Sequence, residues 1–171
     1  KPKGWLHGIP IAIKDLSEAK NLKTTWGSPL FKDYISTTDS IVSQRIKEAG
    51  AIIIGKTNTP EFGLGSHTYN SVNGITRNPY DLSKTAGGSS GGTAAALAAN
   101  LLPVADGSDM MGSLRNPAAF NNVYGFRPTW GLVPNDADGD NFMQTLATSG
   151  PMARNPMDLA RLLETMVGPN P

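Results

Sequence analysis

The sequence predicts a layered α/β domain. Short apolar runs of β-branched residues, typical of buried strands, alternate with stretches that carry helix-capping and helix-forming residues. The 171 residues are enough for one hydrophobic core, and 39% hydrophobic with 17% charged residues is a globular composition. Because there is no internal repeat and no linker, we expect residues 1–171 to form a single domain.

Two strands and one helix are predicted in the first third of the chain. Residues 8–14, GIPIAIK, predict an apolar strand that ends at Lys14. Asp39 is expected to cap a helix that Gly50 ends. Residues 51–54 predict a short buried strand, since three consecutive isoleucines favour β-structure. The expected buried face of the helix consists of Ile41, Val42, Ile46 and Ala49.

Further along, the sequence predicts two more helices and one more strand. Residues 87–92, GGSSGG, run directly into TAAALAAN, a strong helix-forming stretch. Residues 101–105 predict a short strand, and residues 106–116 predict a loop. A final helix is indicated by its start and stop signals, namely Asn155, Pro156, Asp158 and Gly168.

The composition excludes several function classes. A net charge of +1 provides no field for binding nucleic acid or an anionic membrane. With no cysteine and only 2 histidines, thiol chemistry and most metal sites are excluded, and we expect no cofactor. No apolar stretch is long enough to cross a bilayer.

Residues 50–57, GAIIIGKT, match the phosphate-binding pattern G-x-x-x-x-G-K-[ST]. That pattern requires a bent loop with free N–H groups and a helix directly behind it. The three isoleucines favour a strand, whose N–H groups are used in the sheet, and Pro60 stands where the helix would begin. We therefore interpret the segment as a helix–turn–strand connection that binds no nucleotide.

The GGSSGG segment contains two overlapping G-x-S-x-G matches, centred on Ser89 and Ser90. An α/β-hydrolase elbow would need a later acidic residue and then a later histidine, but both His7 and His67 precede the serines. A flexible linker is the alternative. The helix that follows immediately favours a site that uses helix N-terminal N–H groups.

Two further segments carry residues capable of chemistry. Residues 106–116, DGSDMMGSLRN, place Gly112 before Ser113, so the backbone can bend and expose the hydroxyl, although an ordinary turn would look the same. Lys14 would usually be a solvated lysine at a strand end. Its apolar strand neighbours would instead lower its pKa if the side chain is buried.

Taken in order, the segments GIPIAIKD (8–15), GGSSGG (87–92) and GSDMMGSLRNPAAF (107–120) resemble the amidase-signature family. The spacings also fit, with 75 residues (89 − 14) and 24 residues (113 − 89) between the three polar positions. The resemblance extends over nearly the whole chain. Three further segments resemble the family, namely GKTNTPEFG, GFRPTWG and SGPMARNPMDLA.

The resemblance implies a mixed β-sheet flanked by helices on both sides, incomplete in this chain, and a Ser–cisSer–Lys amidase. Ser113 would be the nucleophile, Ser89 the bridging serine after a cis peptide bond, and Lys14 the base. The substrate would be a small carboxylic amide, cleaved through an acyl-enzyme. The oxyanion would be held by the backbone N–H groups of Met110, Met111, Gly112 and Ser113.

The sequence also departs from the family. Met111 replaces the glycine usual there, so we expect a backbone restriction and a narrower pocket. The chain resembles only the central portion of family members, and we expect burial of Lys14, and hence activity, to need further segments. The alternatives are a catalytically silent fragment or homologue and an amidotransferase subunit with a partner enzyme. The resemblance allows a homodimer, and we expect a cytoplasmic location.

Overall fold

The computed structural model describes residues 4–136 and 145–169. Short 3-10 turns cover Pro29–Phe31 and Glu61–Gly63. The helices are α1 (Ile41–Glu48), α2 (Gly91–Ala98), α3 (Arg115–Phe120) and α4 (Pro156–Met166). The strands are β1 (Pro10–Lys14), β2 (Ile52–Thr57), β3 (Tyr69–Asn70), β4 (Gly74–Ile75), β5 (Arg77–Asn78), β6 (Asp81–Thr85), β7 (Val104–Asp109), β8 (Tyr124–Gly125) and β9 (Thr148–Ala153).

The central strands combine parallel and antiparallel pairing. β1 and β2 are parallel, whereas β9 lies between β7 and β8 and is antiparallel to both. β1 and β7 lie side by side, where the backbone N–H of Lys14 donates to Asp106 Oδ1 at 2.7 Å. α1 and α4 pack together with α4 on β9, and α2 packs on β1, β2 and β7 with α3 beside it. The mixed α/β fold predicted from the sequence is confirmed.

The final helix follows its sequence signals. Asn155 Oδ1 accepts from the N–H of Asp158 at 2.9 Å, Pro156 is the first helical residue, and Gly168 after the end has φ +131°. The helix after GGSSGG is also present as α2. These predictions succeeded because capping and helix propensity are local properties.

The cap of α1 is Ser40 and not Asp39. Ser40 Oγ accepts from the N–H of Ser43 at 3.1 Å. Asp39 lies one residue too early, and its carboxylate instead accepts from the N–H of Lys20 and from Lys47 Nζ. Serine and aspartate are both favoured as N-cap residues, so the sequence alone did not show which of the two caps the helix.

Residues 51–54 were predicted to form a buried strand. A strand is present, but it is not buried. β2 runs on to Thr57, and Ile52 and Ile54 are 55% and 59% exposed. Among the described residues β2 pairs only with β1, so it is an edge strand with one open side. The helix–turn–strand interpretation of GAIIIGKT is confirmed, since Gly55, Lys56 and Thr57 lie within β2.

The predicted loop at residues 106–116 was too long at both ends. β7 continues to Asp109 because each of its residues pairs with one of β9, and α3 begins at Arg115. β9 itself was not predicted, because Gly150 and Pro151 are poor strand residues. The paired backbone of β7 overrides the loop-forming tendency of Asp106 and Gly107.

The hydrophobic core lies between the strands and the helices. Ile11 and Ile13 on β1 are completely buried, and Lys14 follows them into the same interior. The buried cluster also includes Leu6, Ile46, Leu97, Val104, Leu114, Met152, Leu162 and Met166. The candidate site lies where the polar end of the Lys14 side chain is surrounded by this core.

Candidate active site

Lys14 is enclosed by serine oxygens at the end of β1. Its side chain is 1% exposed, and its Nζ lies 2.7 Å from Ser89 Oγ and 2.8 Å from Ser90 Oγ. Ser108 on β7 adds its Oγ at 3.1 Å. The structure therefore brings together two of the predicted site residues, Lys14 and Ser89, although they are 75 residues apart in sequence.

Burial lowers the pKa of Lys14 from 10.5 to about 7, because a buried ammonium group loses its hydration. The carboxylates of Asp106 and Asp109 oppose this shift and raise the pKa. Loop 87–90, β1 and β7 provide this burial themselves. The expectation that Lys14 would be buried only by further segments was therefore wrong.

Residues 87–90, here called the serine loop, contain a non-proline cis peptide bond and are bonded to a threonine. The peptide bond between Gly88 and Ser89 is cis. Thr68 Oγ1 donates to Gly87 O at 2.8 Å and accepts from Gly91 N–H at 3.1 Å. Thr68 thereby joins Gly87, which precedes the two residues of the cis bond, to the first turn of α2.

Ser90 was not among the predicted site residues, yet it contacts Lys14 as closely as Ser89 does. Its Oγ accepts from the N–H of Ser108 at 3.3 Å and donates to Ser108 O at 3.3 Å. For the Ser89 hydroxyl, Lys14 is the one hydrogen-bond partner within the described ranges. Two overlapping motif matches in the sequence could not reveal this difference.

Ser113 lies in the turn between β7 and α3. Its carbonyl oxygen accepts from Ser90 N–H at 3.2 Å, which joins this turn to the serine loop. The partly exposed Ser113 lines a pocket of about 310 Å³, which Gly88, Met110 and Met111 also line. In the part of the chain that the structure describes, Ser113 Oγ makes no hydrogen bond to Ser89, and the contact between the two segments is the backbone bond from Ser90 N–H to Ser113 O.

Asp109 holds this turn in place. Its buried carboxylate accepts from the N–H groups of Gly112 at 2.8 Å and Leu114 at 3.0 Å. It also pairs with Arg115 through Nε at 3.0 Å and with Arg127 Nε at 3.2 Å. Burial alone would raise the pKa of Asp109, but the hydrogen bonds from Arg115, Leu114 and Gly112 outweigh it and lower the pKa to about 2.

This anchoring engages one of the four N–H groups that are expected to hold the oxyanion. The N–H of Gly112 is bonded to Asp109 and is not a free donor. The N–H groups of Met110, Met111 and Ser113 have no acceptor among the described residues. The left-handed backbone of the turn lies at Gly112 (φ +122°), so the methionine at 111 meets no such restriction. Its side chain is 86% exposed at the pocket.

Metal and membrane features are absent from the residues that the structure describes. These residues contain no group of three or more acidic or histidine side chains that could hold a metal ion. No helix among them is long and apolar enough to cross a membrane.

The sequence profile of the family described as Amidase matches residues 1–171. The chain belongs to the amidase family. It is 47% identical over 170 residues to a glutamyl-tRNA(Gln) amidotransferase subunit of Sulfurisphaera tokodaii, covering 99% of this chain and 36% of that protein.

Solved structures of the amidase family superpose closely on this chain. A bacterial aryl acylamidase of the amidase-signature family matches with a TM-score of 0.93 and 35% identity, over 99% of this chain and 36% of that one. The peptide amidase of Stenotrophomonas maltophilia matches with a TM-score of 0.89 and 40% identity, over 98% and 35%. The chain thus spans about a third of the length of the amidase-family proteins that it matches.

Proposed function

We propose that the protein hydrolyses carboxylic amides through an acyl-enzyme on Ser113, with Lys14 as the base acting through Ser89. The observation that carries this proposal is the contact of 2.7 Å between Lys14 Nζ and Ser89 Oγ inside a buried site. A lysine whose pKa is lowered to about 7 by burial is partly uncharged near neutral pH and can accept a proton.

The proposed relay uses Ser89 and not Ser90. The Ser90 hydroxyl donates to Ser108 O and accepts from Ser108 N–H, so its proton is already engaged. Ser89 can direct its proton to the free electron pair of neutral Lys14 and accept the proton of Ser113 in return. This transfer requires the Ser113 hydroxyl to come within hydrogen-bond distance of Ser89 when substrate is bound.

In the acylation step, Ser113 Oγ attacks the amide carbonyl carbon as its proton passes through Ser89 to Lys14. The negative charge on the carbonyl oxygen is stabilised by free backbone N–H groups of the Met110–Ser113 turn. The carbon–nitrogen bond then breaks, and the proton returns from Lys14 to the departing nitrogen. Water then attacks the ester carbon as its proton passes through Ser89 to Lys14. The bond from that carbon to Ser113 Oγ breaks, the acid is released, and the proton returns from Lys14 to Ser113 Oγ.

The test uses the purified protein with short primary amides, each assayed for release of ammonia. Added hydroxylamine should divert part of the product to the hydroxamate, because it competes with water for an acyl-enzyme. Ser113→Ala should remove both products. Ammonia release that is insensitive to Ser113→Ala would contradict the proposal, and no turnover of any amide would favour a catalytically silent homologue.

An amidotransferase subunit is the second candidate function. The observation that favours it is that eight curated relatives, 45–47% identical, are glutamyl-tRNA(Gln) amidotransferase subunits. Such a subunit would use glutamine as the amide and pass ammonia to a partner. A strong preference for glutamine, increased by a co-purified partner, would support this candidate, whereas efficient hydrolysis of simple amides alone would exclude it.

A further inference from the structure

We propose that Lys56 is a positioning residue for Lys14: its ammonium group compensates carboxylates buried beside the base, so that Lys14 is not required as their counter-ion. Lys56 is the lysine of the GKT sequence within β2. The inference rests on the proposed function of Lys14 as a base, and its test separates the two.

Three carboxylates are buried near the end of β1 and on β7, and two of them, Asp106 and Asp109, act on the charge of Lys14. Asp15 directly follows it and is 3% exposed, while Asp106 and Asp109 on β7 are 1% and 0% exposed. Asp106 Oδ1 accepts the backbone N–H of Lys14 at 2.7 Å. Buried ionised carboxylates are strongly destabilising unless a cation compensates them, so each one requires a nearby positive charge.

Asp109 has two guanidinium partners of its own. Arg115 approaches it with Nε at 3.0 Å and Nη2 at 3.0 Å, which is a bidentate pair. Arg127 Nε lies 3.2 Å from Asp109 Oδ1. These two guanidinium groups leave Asp15 and Asp106 to be compensated from elsewhere.

Lys56 is placed to compensate Asp15 and Asp106. It is the parallel register partner of Ile13, next to Lys14, and its Nζ lies 3.8 Å from Asp15 Oδ1. Burial lowers the pKa of Lys56, while Asp15 and Asp106 act to raise it, so its charge interacts with both. Burial likewise raises the pKa of Asp106, and the hydrogen bond from the Lys14 N–H, the charge of Lys56 and the charge of Lys14 oppose that change.

Hydrogen bonds hold the Lys56 ammonium group beside Asp15. Its Nζ donates to Thr24 Oγ1 at 2.9 Å and to the carbonyl oxygen of Ser17. Its side chain is 12% exposed. Glu18 also faces Lys56 and raises its pKa, but its carboxylate is bonded to Tyr34 and Thr38. The Lys56 ammonium group is therefore fixed and largely shielded from solvent.

The distribution of the charges gives the physical reason for the proposal. Arg115 and Arg127 both pair with Asp109, and Lys56 is the side-chain cation that lies beside Asp15 and also acts on Asp106. The groups that contact Lys14 Nζ, from Ser89, Ser90 and Ser108, are neutral. If Lys56 loses its charge, Lys14 becomes the cation that Asp106 needs, and its proton is held more tightly.

The test measures kcat/KM of the purified protein against pH with a simple amide. Because the base must be uncharged, activity should rise with pH through the pKa of Lys14. Lys56→Met should move this rise to higher pH by about one unit, the size of the effect of one nearby charge. Lys56→Arg keeps the charge and should restore the wild-type profile. Lys23→Met, which removes an exposed lysine paired with Asp33, is the matched control.

A second variant covers the case in which Lys56→Met does not fold. Asp15→Asn removes one of the carboxylates that Lys56 compensates, so the rise should move to lower pH, in the opposite direction. A Lys56→Met profile that is lower at every pH but unshifted, or shifted to lower pH, would overturn the proposal. If Lys56→Met does not fold, an unshifted Asp15→Asn profile would overturn it equally. A rise that persists in Lys14→Ala would instead contradict Lys14 as the base.

Discussion

Lys14 combines a charge that is normally solvated with a position inside the core. The interior lowers its pKa to about 7, whereas the side chain in the unfolded chain keeps the ordinary value of 10.5. Between these two values the unfolded state holds the extra proton, so the contribution of Lys14 to stability rises as pH increases from 7 to 10.5. Below about pH 7 this contribution stays at its least favourable level. Lys14 thus reduces the stability of the fold at neutral pH, and its proposed role as a base is the compensating gain.

Replacing Lys14 separates the two roles. Lys14→Ala should lower kcat by about 10²–10⁴-fold, the usual contribution of a general base. The free energy of unfolding of the same variant should depend less on pH between 7 and 10.5, because the side chain with the lowered pKa has been removed. Activity assays and urea titrations at several pH values check both. A near-normal rate at neutral pH would contradict the assigned role.

Ser89 and Ser90 differ in how their hydroxyl protons are used. Ser89→Ala should lower kcat by about 10²–10⁴-fold, since the proton relay is interrupted. Ser90→Ala should mainly cost about 1–3 kcal/mol of stability, because the N–H of Ser108 loses its acceptor. Measuring kcat and urea unfolding for both variants distinguishes them. Equal losses of kcat, or a larger loss in Ser90→Ala, would show that the relay uses Ser90.

At the scale of elements, close backbone contact places the serine loop. Gly92 in the first turn of α2 lies against the end of β2, where an added Cβ would come within 2.3 Å of Asn58 N and 2.6 Å of Asn58 O. Backbone atoms cannot move aside as a flexible side chain can. The first turn of α2, and with it Ser89 and Ser90, is therefore positioned by contact with β2.

Gly92→Ala should destabilise the fold although alanine is the better helix former. We expect a loss of about 1–3 kcal/mol, typical of overpacking, together with a reduced kcat. Gly55→Ala in β2 is the matched control, because an added Cβ there has no atom within 4 Å. Thermal unfolding of both variants gives the comparison. A Gly92→Ala protein as stable as the wild type would show that α2 can shift without consequence.

Local signals in the sequence predicted β1, α1, α2 and α4, because caps and apolar periodicity act over a few residues. The central strand β9 was missed, since only pairing with β7 and β8 makes a strand of a segment that contains Gly150 and Pro151. The contact of Lys14 with Ser89 was anticipated through the family resemblance. The roles of Ser90 and Asp109 depend on the direction of individual hydrogen bonds, which sequence spacing does not encode.

At the scale of the whole molecule, the described residues bury Lys14 completely but leave the Ser113 pocket open to solvent. Leu64 and Met111, which line that pocket, are 76% and 86% exposed. The amidase-family proteins that the chain matches are about three times as long. Lys14 is thus enclosed by residues of this chain, whereas the pocket at Ser113 is open to solvent.

The most direct test of the account is to identify the residue that becomes acylated. The purified protein is treated with a fluorophosphonate, digested, and analysed by mass spectrometry to locate the adduct. We predict one adduct, on Ser113, that forms much more slowly in Lys14→Ala and is absent from Ser113→Ala. An adduct on Ser89 or Ser90 with Ser113 unmodified would contradict the account.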